Sequence, residues 1–293
     1  MEENKKNWHD KYYKLLLLIP AFLLVFSLVY LVNFYKVNGD FIHKDISLTG
    51  GTTVTIYDKI NAENLKKNLS DVLEDIDTRV VSDLFTQEQK ALIITTKSSG
   101  EEAKKALEDY LGYKLIPGEN ADFEFTGSAL SESFYKQLLV AVLIAFVFMG
   151  IVVFIIFRTF IPSVAVIISA FADIVMTLAL VDFLGMKIST AGIVAFLMLI
   201  GYSVDTDILL TTRLLKRTEN SLNQRIFSAF KTGTTMTLTS LLAISFALFF
   251  VKSFSLVLAQ IFTILIFGLF FDLLNTWITN VSILKWYILS RKK

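Results

Sequence analysis

Six long apolar runs decide what this chain can become: Leu15–Phe34, Leu138–Phe157, Ile161–Leu184, Ile188–Thr212, Thr234–Val251 and Phe254–Ile278. A bilayer's hydrocarbon core is about 30 Å thick, and a helix needs about 20 apolar residues to cross it. Each run is of that order. The bulk composition agrees, with 54% hydrophobic and only 19% charged residues in 293, and a mean hydropathy of +0.59. A soluble domain of this length usually carries more charge and less apolar content. The first run is long, has Leu and Phe throughout and lacks a small-x-small cleavage site, so it reads as an anchor rather than a signal peptide.

The basic residues orient the spans. Lys and Arg in short loops favour the cytoplasm. Lys5, Lys6, Lys11 and Lys14 precede the first run, Arg158 follows the second, and Arg213, Lys216, Arg217, Arg225 and Lys231 follow the fourth. Lys285, Arg291, Lys292 and Lys293 come last, whereas the other short loops hold only Lys187 and Lys252. The pattern predicts a cell-membrane protein with both termini cytoplasmic. Its segments are 1–14 (cytoplasmic), 15–35 (first transmembrane helix), 36–135 (extracytoplasmic domain), 136–289 (helices two to six) and 290–293 (tail). Trp8, Tyr12 and Tyr13 before the first span, and Trp286 and Tyr287 after the last, suit the headgroup level.

Segment 36–135 is charged, with acids in excess, and is the only part able to fold in water. The β-rich run Thr52–Tyr57 reads as a strand. Asn61 caps a helix running to about Leu73. Thr78–Phe85, a turn over Thr86-Gln87-Glu88-Gln89, and Lys90–Thr96 read as a hairpin. A second helix starts at Ser99-Gly100-Glu101-Glu102 and ends near Leu111-Gly112, and Asp122–Thr126 is the last strand. The order βαββαβ predicts a ferredoxin-like split βαβ sandwich. That fold hosts many functions. The sequon Asn68-Leu69-Ser70 is a short pattern that arises often by chance.

Several chemistries are excluded. Cysteine is absent, which removes disulfides and thiolate catalysis. The two histidines, His9 and His43, lie outside the apolar runs and form no metal-ligand pattern. No GxxxxGK[ST] loop exists, so the chain is not itself an ATPase. A net charge of +1 gives no bulk affinity for nucleic acid. No cofactor, metal or enzymatic active site is expected.

The spans nevertheless contain acids. An ionisable group near the bilayer centre costs about 2.5–3.5 kcal/mol on insertion scales, so each needs a reason. Asp173 lies near the middle of the third span, Asp205 and Asp207 in the fourth, and Asp272 deep in the sixth with Asn275 and Thr276 on the same face. Asp205 and Asp207 diverge by about 200° around a helix and cannot face the same neighbour. A proton path through these carboxyls is the functional expectation, with Lys231 as a cation able to bias release. The alternative is hydrogen bonding that holds helices together. Thr232, Thr234, Thr235, Thr237, Thr239 and Ser240 give the fifth span a hydroxyl stripe, suited to close packing with local backbone bonds or to a hydrated path.

Thr49-Gly50-Gly51-Thr52 stands just before the first strand, and its glycines suggest a tight turn or the close approach of another chain segment. Taken with Gly201-Tyr202-Ser203-Val204-Asp205-Thr206-Asp207 in the fourth span, Phe157-Arg158 and Pro162 between the second and third, and Ala172-Asp173 in the third, this pattern resembles the SecF branch of the SecD/SecF family, related to the resistance-nodulation-division (RND) superfamily. The resemblance covers nearly the whole chain and is closer to the archaeal form than the bacterial one. It implies an accessory subunit of the Sec translocase that works with SecD beside the translocation channel, touches the emerging secreted polypeptide and draws on the proton motive force. Three positions depart from the bacterial pattern. Ser47 stands where an Asp precedes the glycine turn, with Asp45 nearby. Thr206 stands where an ungapped match puts the key acid, leaving that role open between Asp205 and Asp207. Lys231 replaces an arginine. Two other readings are half of an RND-type exporter acting as a dimer, and a membrane hydrolase built on Asp173 and Asp205.

Overall fold

The computed structural model describes residues 8–83, 86, 88–216, 221–253 and 255–291, with side chains from Tyr12 onward. Lys5, Lys6, Leu84, Phe85, Gln87, Arg217, Phe254, Lys292 and Lys293, and the side chains of Trp8, His9 and Lys11, lie outside the described residues.

Among the described residues six helices are long and apolar enough to cross a membrane: Tyr12–Asn38, Ser128–Phe157, Phe160–Phe183, Thr190–Lys216, Leu222–Val251 and Leu256–Ser290. They are called the first to sixth spans below. The third and fourth are more than half buried, the sixth about a third, and the second and fifth almost wholly exposed. The bundle is therefore built around the third, fourth and sixth spans. Small residues at its centre, among them Ala165, Ala170, Ala172 and Ala195, let those backbones approach closely. Lys285, one of the C-terminal basic residues, is not a solvated flanking charge. It is buried in the last helical stretch, where its Nζ donates to Asn223 and lies over the Tyr13 ring.

Between the first and second spans lies a four-stranded sheet: β1 (Gly51–Ile56), β2 (Asp77–Ser82), β3 (Gln89–Thr96) and β4 (Ala121–Thr126). The spatial order is β2-β3-β1-β4, antiparallel throughout, with Val54 opposite Ile94 on one side and Phe123 on the other. This is the split βαβ arrangement. Two helices, Ala62–Leu69 and Gly100–Leu111, cover one face, and Val54, Ile56, Leu92 and Ile94 pack there against Leu65, Leu69, Ala103 and Leu107. Asn61 caps the first helix by accepting from the Asn64 amide, and Ser99 with Glu102 forms a complete capping box on the second. The first helix stops at Leu69, short of the expected Leu73. The chain beyond it is drawn to the end of β3: the Glu74 carbonyl accepts from Thr96 Oγ1 and the Lys97 amide, and the Glu74 amide donates to Ser98. Those bonds require the extended path that follows, while Leu73 stays buried beneath the sheet.

The connector from the first span is stitched to the turn between the third and fourth spans. The Ile188 amide donates to the His43 carbonyl (2.6 Å), and the Asp45 amide donates to the Ile188 carbonyl (2.9 Å). More exposed links flank this seam. Asp75 pairs with Lys187 (2.8 Å) and Lys97 (3.3 Å), and Arg79 donates to the Lys252 carbonyl. Burial alone would push the Asp75 carboxyl up, but the two lysines outweigh it and hold the group below its ordinary value. A depressed carboxyl contributes stability that is present above its unfolded pKa and lost as pH falls through the folded one. The contribution is small at this exposure.

The Thr49–Thr52 turn is the junction of domain and bundle. Asp45 caps the short helix Ile46–Thr49, and Gly50 and Gly51 follow with φ of 84° and 146°. A Cβ on Gly50 would lie 2.5–2.6 Å from the Ser128 backbone, where the second span begins, and one on Gly51 would strike the Thr96 carbonyl. Gly50→Ala is expected to destabilise the protein by about 1–3 kcal/mol through a strained backbone conformation and this collision. The check is thermal unfolding of the purified protein in detergent, where a large fall in Tm is the expected result.

Candidate functional site

The sixth span carries an unusual polar run, Asn275-Thr276-Trp277-Ile278-Thr279-Asn280, and these six residues form a π-helical segment. A π turn closes its hydrogen bonds at i+5 and is common at functional sites. In a regular α-helix Asn280 would point about 140° away from Asn275. Here Asn275, Thr276, Thr279 and Asn280 are all buried.

These donors meet three carboxyls from three spans. Asp173, Asp207 and Asp272 are each 0% exposed. Asp207 Oδ1 accepts from Asn280 Nδ2 (2.7 Å), Thr276 Oγ1 (2.9 Å) and, more distantly, Ser169 Oγ (3.4 Å). Asp173 accepts from Ser203 Oγ (2.5 Å) on one oxygen and Asn275 Nδ2 (2.7 Å) on the other. Asp272 Oδ1 lies 3.1 Å from Thr276 Oγ1. The second oxygens of Asp207 and Asp272 are buried with no hydrogen-bond partner. Among the described residues no Lys, Arg or His forms an ion pair with any of the three.

Hydrogen counting constrains the cluster. The Thr276 hydroxyl carries one hydrogen yet touches both Asp207 and Asp272, so it cannot serve two ionised carboxylates at once. A proton on Asp272 resolves this: Asp272 donates to Thr276, and Thr276 donates to Asp207. The same chain run in sequence is a route for moving a proton between the two carboxyls. No group here resembles a metal-ligand set, and no cluster of metal-binding side chains exists among the described residues.

Of the residues singled out from the sequence, Asp173, Asp207 and Asp272 come together. Asp205 does not. It sits on the exposed side of the fourth span while Thr206 and Asp207 face inward, as the 200° divergence requires. Asp173 and Asp205 therefore form no catalytic dyad. Lys231 is exposed on the fifth span and has no ion pair with an acid among the described residues. Half of the hydroxyl stripe serves its own backbone: Thr232, Thr235 and Thr239 donate to the carbonyls of Ser228, Lys231 and Thr235. Ser203, part of the Gly201–Asp207 stretch, joins the site, and Ser169 and Asn280 complete it without having been singled out. The signal for Asn280 was the polar run itself, readable only with a wider helical turn than 3.6 residues.

Residues 113–290 match the family model described as protein export membrane protein SecD/SecF, C-terminal. The chain is 39% identical over 284 residues to the protein-export membrane protein SecF of Methanocaldococcus jannaschii, covering 95% of this chain and 96% of that one. It is 33% identical to the protein of the same name from Pyrococcus furiosus, covering 95% and 92%. Among solved structures it superposes on SecDF, a translocon-associated membrane protein from Thermus thermophilus, with a TM-score of 0.71 at 20% identity. A super-membrane-facing form of SecDF gives 0.62. The chain spans 38% of the length of each SecDF chain, and the likeness at this identity is one of fold.

Asn280 supplies the shortest bond to Asp207. Asn280→Leu is expected to lower stability by about 1.5–3 kcal/mol, the range for hydrogen bonds to charged groups. Thermal unfolding measures it; an unchanged Tm would show that Asp207 does not depend on this donor.

Proposed function

The chain belongs to the SecF branch of the SecD/SecF family of protein-export membrane proteins, and from that membership we propose that it is an accessory subunit of the Sec translocase that acts with SecD and uses the proton gradient to promote protein export across or into the membrane. The observation that carries the proton role is the buried trio of carboxyls served only by neutral donors, with Thr276 bridging Asp207 and Asp272. Acids at membrane depth are costly and mark ion routes or pairing. A cation pairing with these acids would argue for a fixed structural role; neutral amides and hydroxyls hold a carboxyl in either protonation state. In the transfer step a proton leaves Asp272 for Thr276 Oγ1 as the threonine's own hydrogen passes to Asp207 Oδ1. Asp173 adjusts the balance of charge beside them. No enzymatic active site is required.

Asp205 supports the partnership. Its carboxylate on an outward face of the fourth span has no reason to meet lipid, which disfavours it by about 2.5–3.5 kcal/mol near the midplane. A second helical bundle offering hydrogen-bond donors covers this face, and SecD is the partner that family membership names. Lys231, outward on the fifth span, belongs to the same reading. The remaining apolar surface meets lipid, and the sheet domain lies outside the cytoplasm, where it meets the emerging polypeptide near the channel, with both termini inside.

Two variants separate these roles. Asp207→Asn is expected to leave the protein folded and still copurifying with SecD while export in cells falls to the level without this chain; undiminished export would overturn the proton role. Asp205→Leu is expected to keep the isolated chain stable in detergent but reduce recovery of SecD from native membranes several-fold. Full recovery of SecD would place the seam elsewhere.

A further inference from the structure

The mouth of the bundle beneath the sheet domain holds a fourth buried acid, Asp182, which no part of the proton route above uses. It is the penultimate residue of the third span, about 13 Å along the helix from Asp173 at 1.5 Å per residue. Only 2% of it is exposed. Oδ1 accepts from the His43 backbone amide at 3.3 Å, and Oδ2 is buried with no partner. His43 is the connector residue whose carbonyl takes the Ile188 amide.

The charged and titratable groups facing Asp182 come from three elements. The connector contributes Asp40 and His43, with Lys44 behind Asp40; the second span contributes Tyr135; the first contributes Tyr30. Lys44 is already committed: its Nζ lies 2.6 Å from Asp40 and 4.4 Å from the centre of the Tyr135 ring. Tyr135 donates its hydroxyl to Asp40 at 2.7 Å. The His43 ring packs edge-on against Phe34. Thus the lysine of this neighbourhood is spent on Asp40. Lys44 and Asp40 balance one another, which leaves no lysine or arginine among these groups for an ionised Asp182. An ionised Asp182 leaves a buried negative charge with an unserved oxygen beside a second carboxylate, which is costly.

We propose that Asp182 is a protonation-dependent positioning residue that sets whether the connector, and with it the sheet domain, sits down on the bundle. When protonated, Asp182 accepts from His43 and the seam of His43, Asp45 and Ile188 closes. When it ionises, the connector lifts so that water reaches the carboxylate. Other links hold the same region whatever the protonation of Asp182: the Thr190 amide donates to Ser47 Oγ at 3.2 Å, Ile42 and Leu48 pack against Val181 and Ile188, and Asp75 with Lys187 and Arg79 with the Lys252 carbonyl add surface contacts of small individual worth. Among the links at the mouth, Asp182 is the buried one whose contribution changes with its protonation. This device needs neither SecD nor a proton route through Asp207, so it stands or fails apart from the function proposed above.

The absence of native cysteine makes a distance measurement clean. Glu101→Cys on the domain and Val257→Cys on the sixth span, both exposed, are spin-labelled in the full-length chain, and their separation is followed by pulsed electron spin resonance from pH 5.5 to 8.5. The expected result is one short, narrow distribution at low pH, with the lifted-to-seated ratio rising by up to about tenfold per pH unit, the limit for one linked proton. Asp182→Asn, which mimics the protonated acid in shape, is expected to stay seated at every pH. His43→Gln is expected to keep the wild-type pH course. A pH-independent wild type, an Asp182→Asn variant that follows the wild-type course, or a course abolished by His43→Gln would each overturn the proposal.

Discussion

A carboxyl group inside hydrocarbon must be answered by hydrogen-bond donors, and the bundle is organised around answering three of them. Asp173 and Asp207 bring the third, fourth and sixth spans together because their donors lie on other spans, while Asp272 is bonded to Thr276 of its own span. Asp207 of the fourth draws on Ser169 of the third and on Thr276 and Asn280 of the sixth. Asp173 of the third draws on Ser203 of the fourth and Asn275 of the sixth. Cross-bonding of this kind fixes helix rotation as well as proximity, which apolar packing in lipid cannot do alone. The peripheral first, second and fifth spans carry no member of the trio.

The sixth span meets this demand by changing its helical repeat. Six residues in π geometry bring Asn275 and Asn280 to the same side, so one helix addresses two neighbours at once. Helix length, apolar periodicity and the acids were legible in the sequence, because each is a local property of residue type and spacing. The ferredoxin-like order of strands and helices was legible for the same reason, down to the Asn61 and Ser99 caps. The reach of Asn280 was not, since a 3.6-residue wheel turns it away from the acids. Nor was the early end of the first domain helix, which is set by bonds to Thr96 and Lys97 on a distant strand.

Choosing among the acids shows the same divide. Spacing established that Asp205 and Asp207 face opposite ways, yet only packing tells which way is inward. The fourth span has Ser203, Thr206 and Asp207 buried on one side, while Gly201, Tyr202 and Asp205 stay open on the other. Asp182 escaped notice because it lies at the end of an apolar run, where an acid reads as an ordinary boundary residue. Its burial comes from the connector folding back over the helix end, and no local pattern announces that.

The first and last strands of the sheet domain are neighbours, with Gly51 opposite Thr126, and the chain enters and leaves through that pair. Gly50 permits the incoming segment to lie against the backbone of the outgoing one at Ser128. The domain is thus joined covalently through two adjoining strands, and its remaining supports, Asp75 on Lys187 and Arg79 on the Lys252 carbonyl, are surface contacts. With both chain connections at one edge of the sheet, insertions in the loops at its far end leave the junction with the helices untouched.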